Sequence, residues 1–154
     1  MTFIEAVILG VTQGLTEFLP ISSSGHLVIM QHLLQIQING NEFEVLVHLG
    51  TLGSIIVVFF RDLQALIFNI KSKQNRLYLS YLLITSIPAA LAGIFLKDHF
   101  KLFFDNHYLV GKALMFTGSI LILSYFVKTK NKKINILSSI AIGFFQALAI
   151  IPGI

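Results

Sequence analysis

The chain contains no cysteine and no tryptophan, and only 12% of its 154 residues are charged. Without cysteine there can be no disulfide bond, no thiol nucleophile and no thiolate metal ligand. A soluble domain of this length needs far more charge to cover its surface, whereas 55% of these residues are hydrophobic. No run alternates apolar and polar residues in the manner of a barrel strand. The sequence therefore predicts an all-α integral membrane protein.

Sequence motifs of several common active sites are also absent. The chain has no G-x-x-x-x-G-K-[ST], no H-E-x-x-H and no G-x-S-x-G, so nucleotide, zinc-protease and hydrolase-elbow sites have no support. The net charge of +4 is not a sign of nucleic-acid binding, because the basic residues lie in short loops between apolar runs. In that position they report the orientation of the chain in a membrane.

Three apolar segments are long enough to span a bilayer, namely residues 43–60, 77–96 and 108–127. Each approaches the ~20 residues that cover ~30 Å of hydrocarbon. Pro88 is expected to kink the second of them. Residues 61–76 and 128–133 each contain four Lys or Arg, whereas residues 37–42 contain none and 97–107 contain two. The positive-inside rule predicts that the first two connections are cytoplasmic and that the other two face outward.

Two shorter helices are predicted before these spans. The first covers residues 2–19 and ends at Pro20, and the second runs from about His26 to Leu34 after the turn "ISSSG". Short helices broken by proline and glycine predict a re-entrant hairpin over residues 2–36, which enters the membrane and returns to the same side. A single irregular span is the simpler alternative.

The chain contains an internal repeat. "GVTQGLTEFLP" at residues 10–20 matches "GFFQALAIIPG" at residues 143–153, with Gly10 over Gly143 and Gln13 over Gln146. Three spans separate the copies, so the second is predicted to enter the membrane upside down. We therefore divide the chain into a first repeat, 1–133, and the truncated start of an inverted second one, 134–154. Such repeats share a site near the bilayer midplane, although chance similarity between apolar stretches stays as the alternative.

A stripe of small and polar residues lies on one face of the first helix: Ala6, Gly10, Gln13, Gly14 and Glu17. Small residues allow another helix to approach closely. A carboxylate inside the membrane costs at least about 2.5 kcal/mol, so Glu17 is interpreted as a functional residue that faces a cavity. The second copy has Ile150 at the equivalent position, so the two halves are not chemically equivalent.

The turn after Pro20 concentrates hydroxyl groups, with Ser22, Ser23 and Ser24 followed by Gly25 and His26. Serine is favoured at the N-cap of a helix, and the N–H groups of a helix N-terminus form a site for phosphate. His26, in the first helical turn, is suited to act as a base or nucleophile. In the alternative interpretation the serines only cap the helix and His26 is an interfacial residue. The presence of Gln13 and Glu17 in the same hairpin favours the functional interpretation.

The other histidines are weaker candidates. His48 lies on a span with Gly50, Gly53 and Ser54, which predicts helix packing or an interhelical hydrogen bond rather than ligand binding. His32 is six residues from His26 and therefore on a different helix face, so the two do not form a metal pair. His99 and His107 are predicted to be solvated in an outward-facing loop.

The segment "GVTQGLTEFLPISSSGH" resembles the signature of the bacterial undecaprenyl-diphosphate phosphatase family, the bacitracin-resistance type. That family carries an (E/Q)-x-x-x-E motif followed by a P-x-S-S-[ST]-G-H turn. The similarity continues through "FEVLVHLGTLGSI", "SIPAALAG" and "GFFQALAIIPGI", so it covers the chain essentially from end to end.

This resemblance implies an enzyme of the bacterial inner membrane that hydrolyses undecaprenyl diphosphate to undecaprenyl phosphate and inorganic phosphate. The product returns to cell-wall synthesis, and the activity confers bacitracin resistance. The implied partners are the polyprenyl diphosphate lipid and the membrane, with no nucleic acid, and a homodimer stays open.

The resemblance also implies roles for individual residues. Glu17 and Gln13 would bind a divalent cation, magnesium or calcium, and Glu17, Ser23 and His26 would be catalytic, with the attacking group left open between the last two. The residues implied in substrate binding are Gln13, Ser22, Ser24 and Gly25.

The chain departs from the family pattern at its second repeat. The family continues as P-G-x-S-R-S-G, in which the arginine is the expected phosphate clamp, whereas this chain reads "PGI" at residues 152–154. We therefore expect this chain alone to be inactive or nearly so. The alternative function is a module that transports or binds an anion or lipid without hydrolysis, because inverted repeats with broken helices are typical of transporters. The lipid phosphatases with a P-S-G-H motif are disfavoured, since their upstream Lys…Arg-Pro element has no counterpart here.

Overall fold

The computed structural model describes residues 1–36, 42–96, 106–128 and 133–154, and all regular structure within those ranges is helical. The helices there are α1 (Phe3–Thr16), α2 (Ser23–Leu33), α3 (Glu42–Val58), α4 (Phe60–Phe68), α5 (Lys73–Phe95), α6 (His107–Tyr125) and α7 (Ile136–Leu148). The predicted all-α class is thus confirmed for the described ranges. His99 lies outside them, as do residues 37–41, 97–105 and 129–132 of the loops used for orientation.

Two helices, α5 with 23 residues and α6 with 19, are long and apolar enough to cross a membrane. They correspond to the predicted spans 77–96 and 108–127, with shifted ends. Helix α3 covers nearly all of the predicted span 43–60, but with 17 residues it passes the same test only together with α4, and this pair is bent by 71°. Arg61 and Asp62, in the first turn of α4, end the apolar run at this break.

The two short apolar helices, α1 and α7, begin with the same type of cap. In α1 the Thr2 side chain accepts a hydrogen bond from the backbone of Glu5, whose carboxylate accepts one from Thr2 N–H. In α7, Asn135 and Ser138 exchange the equivalent bonds. Such capping boxes satisfy N–H groups that have no partner inside a helix. Thr2 and Asn135 each lie eight residues before the glycine that begins a copy of the repeat, so the two boxes are at equivalent positions. The repeat boundary after residue 133 stays a prediction.

The chain separates into two compact units. The first contains Met1–Thr51, α6 and Ile151–Ile154, and within it α2 packs against α1 and α6. Its buried apolar side chains include Leu9, Leu27 and Val110. The candidate catalytic residues all lie in this unit.

The second unit contains the rest of α3 together with α4, α5 and α7. Its main packing is between α5 and α7, where Gly143 is buried against α5. A Cβ atom at Gly143 would lie 2.6 Å from the carbonyl oxygen of Thr85 and 2.9 Å from Cγ of Pro88. Glycine is therefore required for this close approach of the two helices.

Apolar side chains on the long helices are widely exposed. Leu83 on α5 is 68% exposed and Ile122 on α6 is 67% exposed. Soluble proteins rarely leave such continuous apolar surface uncovered. The exposure, the helix lengths and the composition together indicate an integral membrane protein.

Candidate active site

The turn between α1 and α2 brings the end of one helix beside the start of the next. Helix α1 ends at Thr16, four residues before Pro20, and the chain turns before α2 begins at Ser23. Ser22 has a φ of 60°, in the left-handed region that non-glycine residues seldom adopt. This reversal positions the first residue of α2 against the side chain of Glu17.

Glu17 is at the centre of a cluster of hydrogen bonds. Its Oε2 accepts a hydrogen bond from Gln13 Nε2 at 2.9 Å and another from Ser23 Oγ at 2.5 Å. The first contact follows from the spacing of one helical turn, which brings residues i and i+4 together. The side chain of Glu17 is 27% exposed, so the carboxylate is accessible. The structure thus brings together Gln13, Glu17 and Ser23, three of the residues singled out in the sequence.

Gln13 has the chemistry of a cation ligand. The residue is only 1% exposed, and its Oε1 has no hydrogen-bond partner among the described residues. A buried acceptor without a partner costs about 1–3 kcal/mol, so this oxygen is suited to bind something that the chain itself does not supply. Amide and carboxylate oxygens are the ligands that Mg²⁺ and Ca²⁺ prefer. Gln13 and Glu17 therefore fit a divalent cation.

A denser group of metal ligands is not present in the described ranges, where no three His, Cys, Asp or Glu residues are grouped to hold a metal. Mg²⁺ does not need such a group, because it commonly binds through one or two protein oxygens together with water and substrate phosphates. The pair of oxygen donors is consistent with a cation that arrives with a phosphorylated substrate.

His26 lies in the first turn of α2, where its Nδ1 is 2.8 Å from the carbonyl oxygen of Ser22. A carbonyl oxygen only accepts, so Nδ1 is the donor and Nε2 is the ring atom available for chemistry. Within the part of the chain that the structure describes, no hydrogen bond joins the ring to Glu17 or Ser23. His26 is therefore near the cluster in sequence without being bonded to it.

Ser22 does not have the capping role that the sequence suggests. It occupies the N-cap position of α2, but its side chain makes no capping hydrogen bond. Its Oγ instead accepts a hydrogen bond from Gly153 N–H at 2.9 Å and lies 3.4 Å from Ser24 Oγ. Gly25 is buried beside the same turn, and a Cβ atom there would lie 2.8 Å from Gly153 Cα. The serine-rich turn thus packs against the Pro-Gly turn of the second copy.

The second copy's turn is held from the other side by α6. Thr117 Oγ1 donates a hydrogen bond to the carbonyl oxygen of Gly153 at 2.7 Å. Gly153 has a φ of 98°, and a Cβ atom there would lie 2.7 Å from Val110 O and from Ala113 Cβ. Thr117 could not be predicted from the sequence, because a single threonine within an apolar span carries no local signal.

His48 is the other residue whose place in the site was missed. Its Nε2 lies 3.7 Å from Glu17 Oε2, and its Nδ1 is 2.7 Å from the carbonyl oxygen of Glu44. The hydrogen bond of the ring is therefore within α3, and its contact with Glu17 is at ion-pair distance and lies within the candidate active site. The only signal in the sequence was that His48 belongs to one of the segments similar to the family.

Several other expectations are not met. The close helix approach expected along the stripe is absent at Gly10 and Gly14, since no described atom lies within 4 Å of a Cβ placed on either. His107 is not in a loop but begins α6, and its ring stacks on His32 with 3.9 Å between centroids. Gln146, the counterpart of buried Gln13, is exposed.

The chain is similar in sequence to known proteins. Residues 6–154 match the family model of the bacitracin resistance protein BacA. An undecaprenyl-diphosphatase of Halothermothrix orenii is 38% identical over all of this chain and 60% of its own length. Those of Bacteroides thetaiotaomicron and Carboxydothermus hydrogenoformans are 36% and 40% identical, with 61% and 59% of their lengths covered.

The chain therefore spans about three fifths of the length of these curated relatives. The resemblance noted in the sequence is confirmed over nearly every residue. The chain belongs to the bacitracin resistance protein BacA family.

Proposed function

We propose that this chain contains the catalytic hairpin, formed by α1 and α2, of an undecaprenyl-diphosphate phosphatase in the bacterial inner membrane. The enzyme removes the terminal phosphate of the carrier lipid and thereby confers bacitracin resistance. The observation that carries this proposal is the hydrogen bond from Ser23 Oγ to Glu17 Oε2. A hydroxyl that donates to a carboxylate is the arrangement of a nucleophile and its base. The names of the relatives support the choice of substrate.

In this mechanism Ser23 attacks phosphorus and Glu17 accepts its proton. The Ser23 Oγ forms a bond to the terminal phosphorus, and the bond from that phosphorus to the bridging oxygen breaks, so the lipid monophosphate leaves. Water then attacks the phosphorus of the phosphoserine, and the bond from that phosphorus to Ser23 Oγ breaks. Ser23 recovers its proton from Glu17, and inorganic phosphate leaves with the oxygen and the protons of the water. Phosphoryl transfer depends mostly on positioning and charge stabilisation, so a compact cluster is sufficient.

His26 and the start of α2 provide the remaining functions of the hairpin. The bond from Nδ1 to Ser22 O orients the His26 ring, and Nε2 is the atom that exchanges protons with the leaving oxygen or the incoming water. The first N–H groups of a helix have no intrahelical partner and attract anions. We therefore assign Ser24 and Gly25, in the first turn of α2, to binding of the diphosphate.

Gln13 and Glu17 are the residues that we propose to hold the divalent cation, magnesium or calcium. The unpartnered Oε1 of Gln13 and the carboxylate of Glu17 supply oxygen ligands of the right type. When bound, the cation would neutralise part of the negative charge of the diphosphate.

A re-entrant hairpin is the arrangement in the membrane that we propose for α1 and α2. Helix α1 has 14 residues and α2 has 11, which correspond to lengths of only about 21 and 16 Å. Neither covers the ~30 Å hydrocarbon core alone, and the two helices pack against each other. The equally short α7, with 13 residues, would begin the inverted copy.

Transport without hydrolysis is a second candidate function. The break between α3 and α4, with its bend of 71°, is an observation that favours it, since discontinuous helices are typical of transporters. Movement of labelled lipid diphosphate across a vesicle membrane without phosphate release would support this alternative.

Phosphate release tests the proposal directly. The chain would be placed in lipid vesicles with undecaprenyl diphosphate and Mg²⁺, both alone and joined to the residues that follow the matched segment in the Carboxydothermus relative. We expect release from the joined protein, with Ser23→Ala and Glu17→Gln reducing the rate at least about 1,000-fold. Ser119→Ala and Glu42→Gln, which change exposed residues, are the matched controls and should retain activity. Absence of release from the joined protein would contradict the proposal.

A further inference from the structure

A histidine outside the proposed catalytic set faces the catalytic carboxylate. His48 Nε2 lies 3.7 Å from Glu17 Oε2, within ion-pair distance. The same carboxylate oxygen already accepts hydrogen bonds from Gln13 and Ser23. The Nε2 atom of His48 thus lies beside the carboxylate oxygen that is bonded to the nucleophile.

The His48 ring has a fixed orientation. Its Nδ1 is 2.7 Å from the carbonyl oxygen of Glu44, one turn earlier on α3, and this carbonyl can only accept. A hydrogen bond at one ring nitrogen determines the orientation of the other. Nε2 is therefore directed to the side on which Glu17 lies.

Helix α3 is itself tied to the catalytic hairpin beside this histidine. Gln31 Nε2, on α2, donates a hydrogen bond to Glu44 Oε1 at 2.9 Å. Because Ser23 begins α2 and His48 lies one turn after Glu44, this bond links the nucleophile's helix to the helix that carries the imidazole. The bond thus holds the part of α3 that carries His48 beside the hairpin that contains Glu17.

We propose that His48 is a positioning residue that holds the carboxylate of Glu17 on the hydroxyl of Ser23. The inference rests on the proposed function, in which Glu17 accepts the proton of Ser23. A glutamate side chain has several rotatable bonds and, without a barrier, samples rotamers that break the bond to Ser23. The ring, fixed by Glu44, restricts this motion, and it contacts neither the phosphorus nor the leaving group in this scheme.

Substitutions that separate polarity from shape test the proposal. His48→Phe keeps a ring but removes the polar edge, whereas His48→Gln places an amide nitrogen near the position of Nε2 without a titrating group. We expect His48→Phe to lower kcat about tenfold to hundredfold with little change in KM, since a small misplacement of a catalytic group has effects of this size. His48→Gln should restore most of the rate.

A second readout does not depend on turnover. A fluorophosphonate probe labels serine hydroxyls that are activated by a neighbouring base, and mass spectrometry identifies the labelled residue. We expect labelling of Ser23 to slow in His48→Phe and to recover in His48→Gln. His32→Phe, which changes an exposed histidine stacked on His107, is the control and should be labelled at the parent rate. Circular dichroism of each variant verifies that the helices are formed.

The possible failures are distinguishable. Parent protein that is active and labelled, with His48→Phe equal to it in both measurements, would overturn the positioning role and leave the proposed function intact. Equal losses in His48→Phe and His48→Gln would also overturn it, because they would indicate a requirement for the whole imidazole ring. Parent protein that neither releases phosphate nor is labelled at Ser23 would contradict the proposed function and the inference together.

Discussion

Ser22 Oγ accepts a hydrogen bond from the backbone N–H of Gly153, a residue 131 positions further along the chain. The bond joins the serine-rich turn of the first repeat to the Pro-Gly turn of the second. Thr117 binds the carbonyl oxygen of the same glycine, so both backbone polar groups of Gly153 are satisfied by side chains. The turn that follows the first copy and the glycine that ends the second copy therefore meet beside Ser23.

Removal of either side chain that holds Gly153 is expected to destabilise the first unit. Gly153 is buried, and a buried backbone group that loses its partner costs about 1–3 kcal/mol. Ser22→Ala and Thr117→Val should lower the free energy of unfolding in detergent by this amount. Thr117→Ser keeps the hydroxyl and should retain most of the stability, and Ser119→Ala, on the same helix, should have little effect. Unchanged stability of Ser22→Ala would show that the bond is unimportant.

Gly25→Ala is expected to disturb the contact between the two turns. The added Cβ would lie 2.8 Å from both Cα and N of Gly153, where only backbone could move. Overpacking of this kind costs about 1–3 kcal/mol. Gly14→Ala is the matched control, because nothing described lies within 4 Å of a Cβ there and alanine favours a helix. We expect Gly25→Ala to lower the melting temperature and Gly14→Ala to raise it. A Gly25→Ala variant as stable as the parent protein would contradict the packing of the two turns.

The paired glycines of the repeat are expected to respond differently to substitution. Gly143→Ala brings a Cβ within 2.6 Å of Thr85 O, whereas Gly10→Ala, at the matching position, meets nothing within 4 Å. We expect Gly143→Ala to weaken the packing of α7 on α5 and to increase hydrogen exchange in both helices. Gly10→Ala should leave exchange unchanged. Equal effects of the two substitutions would show that the packing of α7 differs from that described.

The long apolar helices could be predicted from the sequence because their signal is local. Helices α5 and α6 follow from uninterrupted apolar runs, and the bond between Gln13 and Glu17 follows from their spacing on α1. The end of the apolar run at Phe60 was predicted to within two residues, but α4 was not, since its charged first turn was interpreted as the start of a connection between spans. The first helix was predicted to continue to residue 19, whereas α1 ends at Thr16.

The long-range contacts of the site could not be predicted in the same way. His48 meets Glu17 only because α3 packs beside the hairpin, and Gly153 meets Ser22 only because two distant turns pack together. Such contacts depend on tertiary packing, which no spacing in the sequence encodes. The family resemblance marked Ser22, Gly25 and Glu17 as important without indicating that two of the three pack against the second repeat.

Cation binding is expected to depend on Gln13 but not on its counterpart Gln146. Gln13→Leu removes the buried, unpartnered oxygen, whereas Gln146→Leu changes an exposed side chain at the matching position. We expect Gln13→Leu to weaken Mn²⁺ binding about tenfold, equivalent to roughly 1.4 kcal/mol, and Glu17→Gln to weaken it further. Electron paramagnetic resonance titration with Mn²⁺ measures the affinity. Equal affinities of the two leucine variants would exclude Gln13 as a ligand.

The role of Ser23 as nucleophile can be measured by trapping the phosphorylated protein. Undecaprenyl diphosphate labelled with ³²P in its terminal phosphate would be mixed with the joined protein described above, and the reaction would be quenched in acid after milliseconds. We expect the label on Ser23, with little label in Glu17→Gln, because the hydroxyl then lacks the carboxylate that accepts its proton. Label on His26, or phosphate release by Ser23→Ala at the parent rate, would contradict the assignment of Ser23 and Glu17.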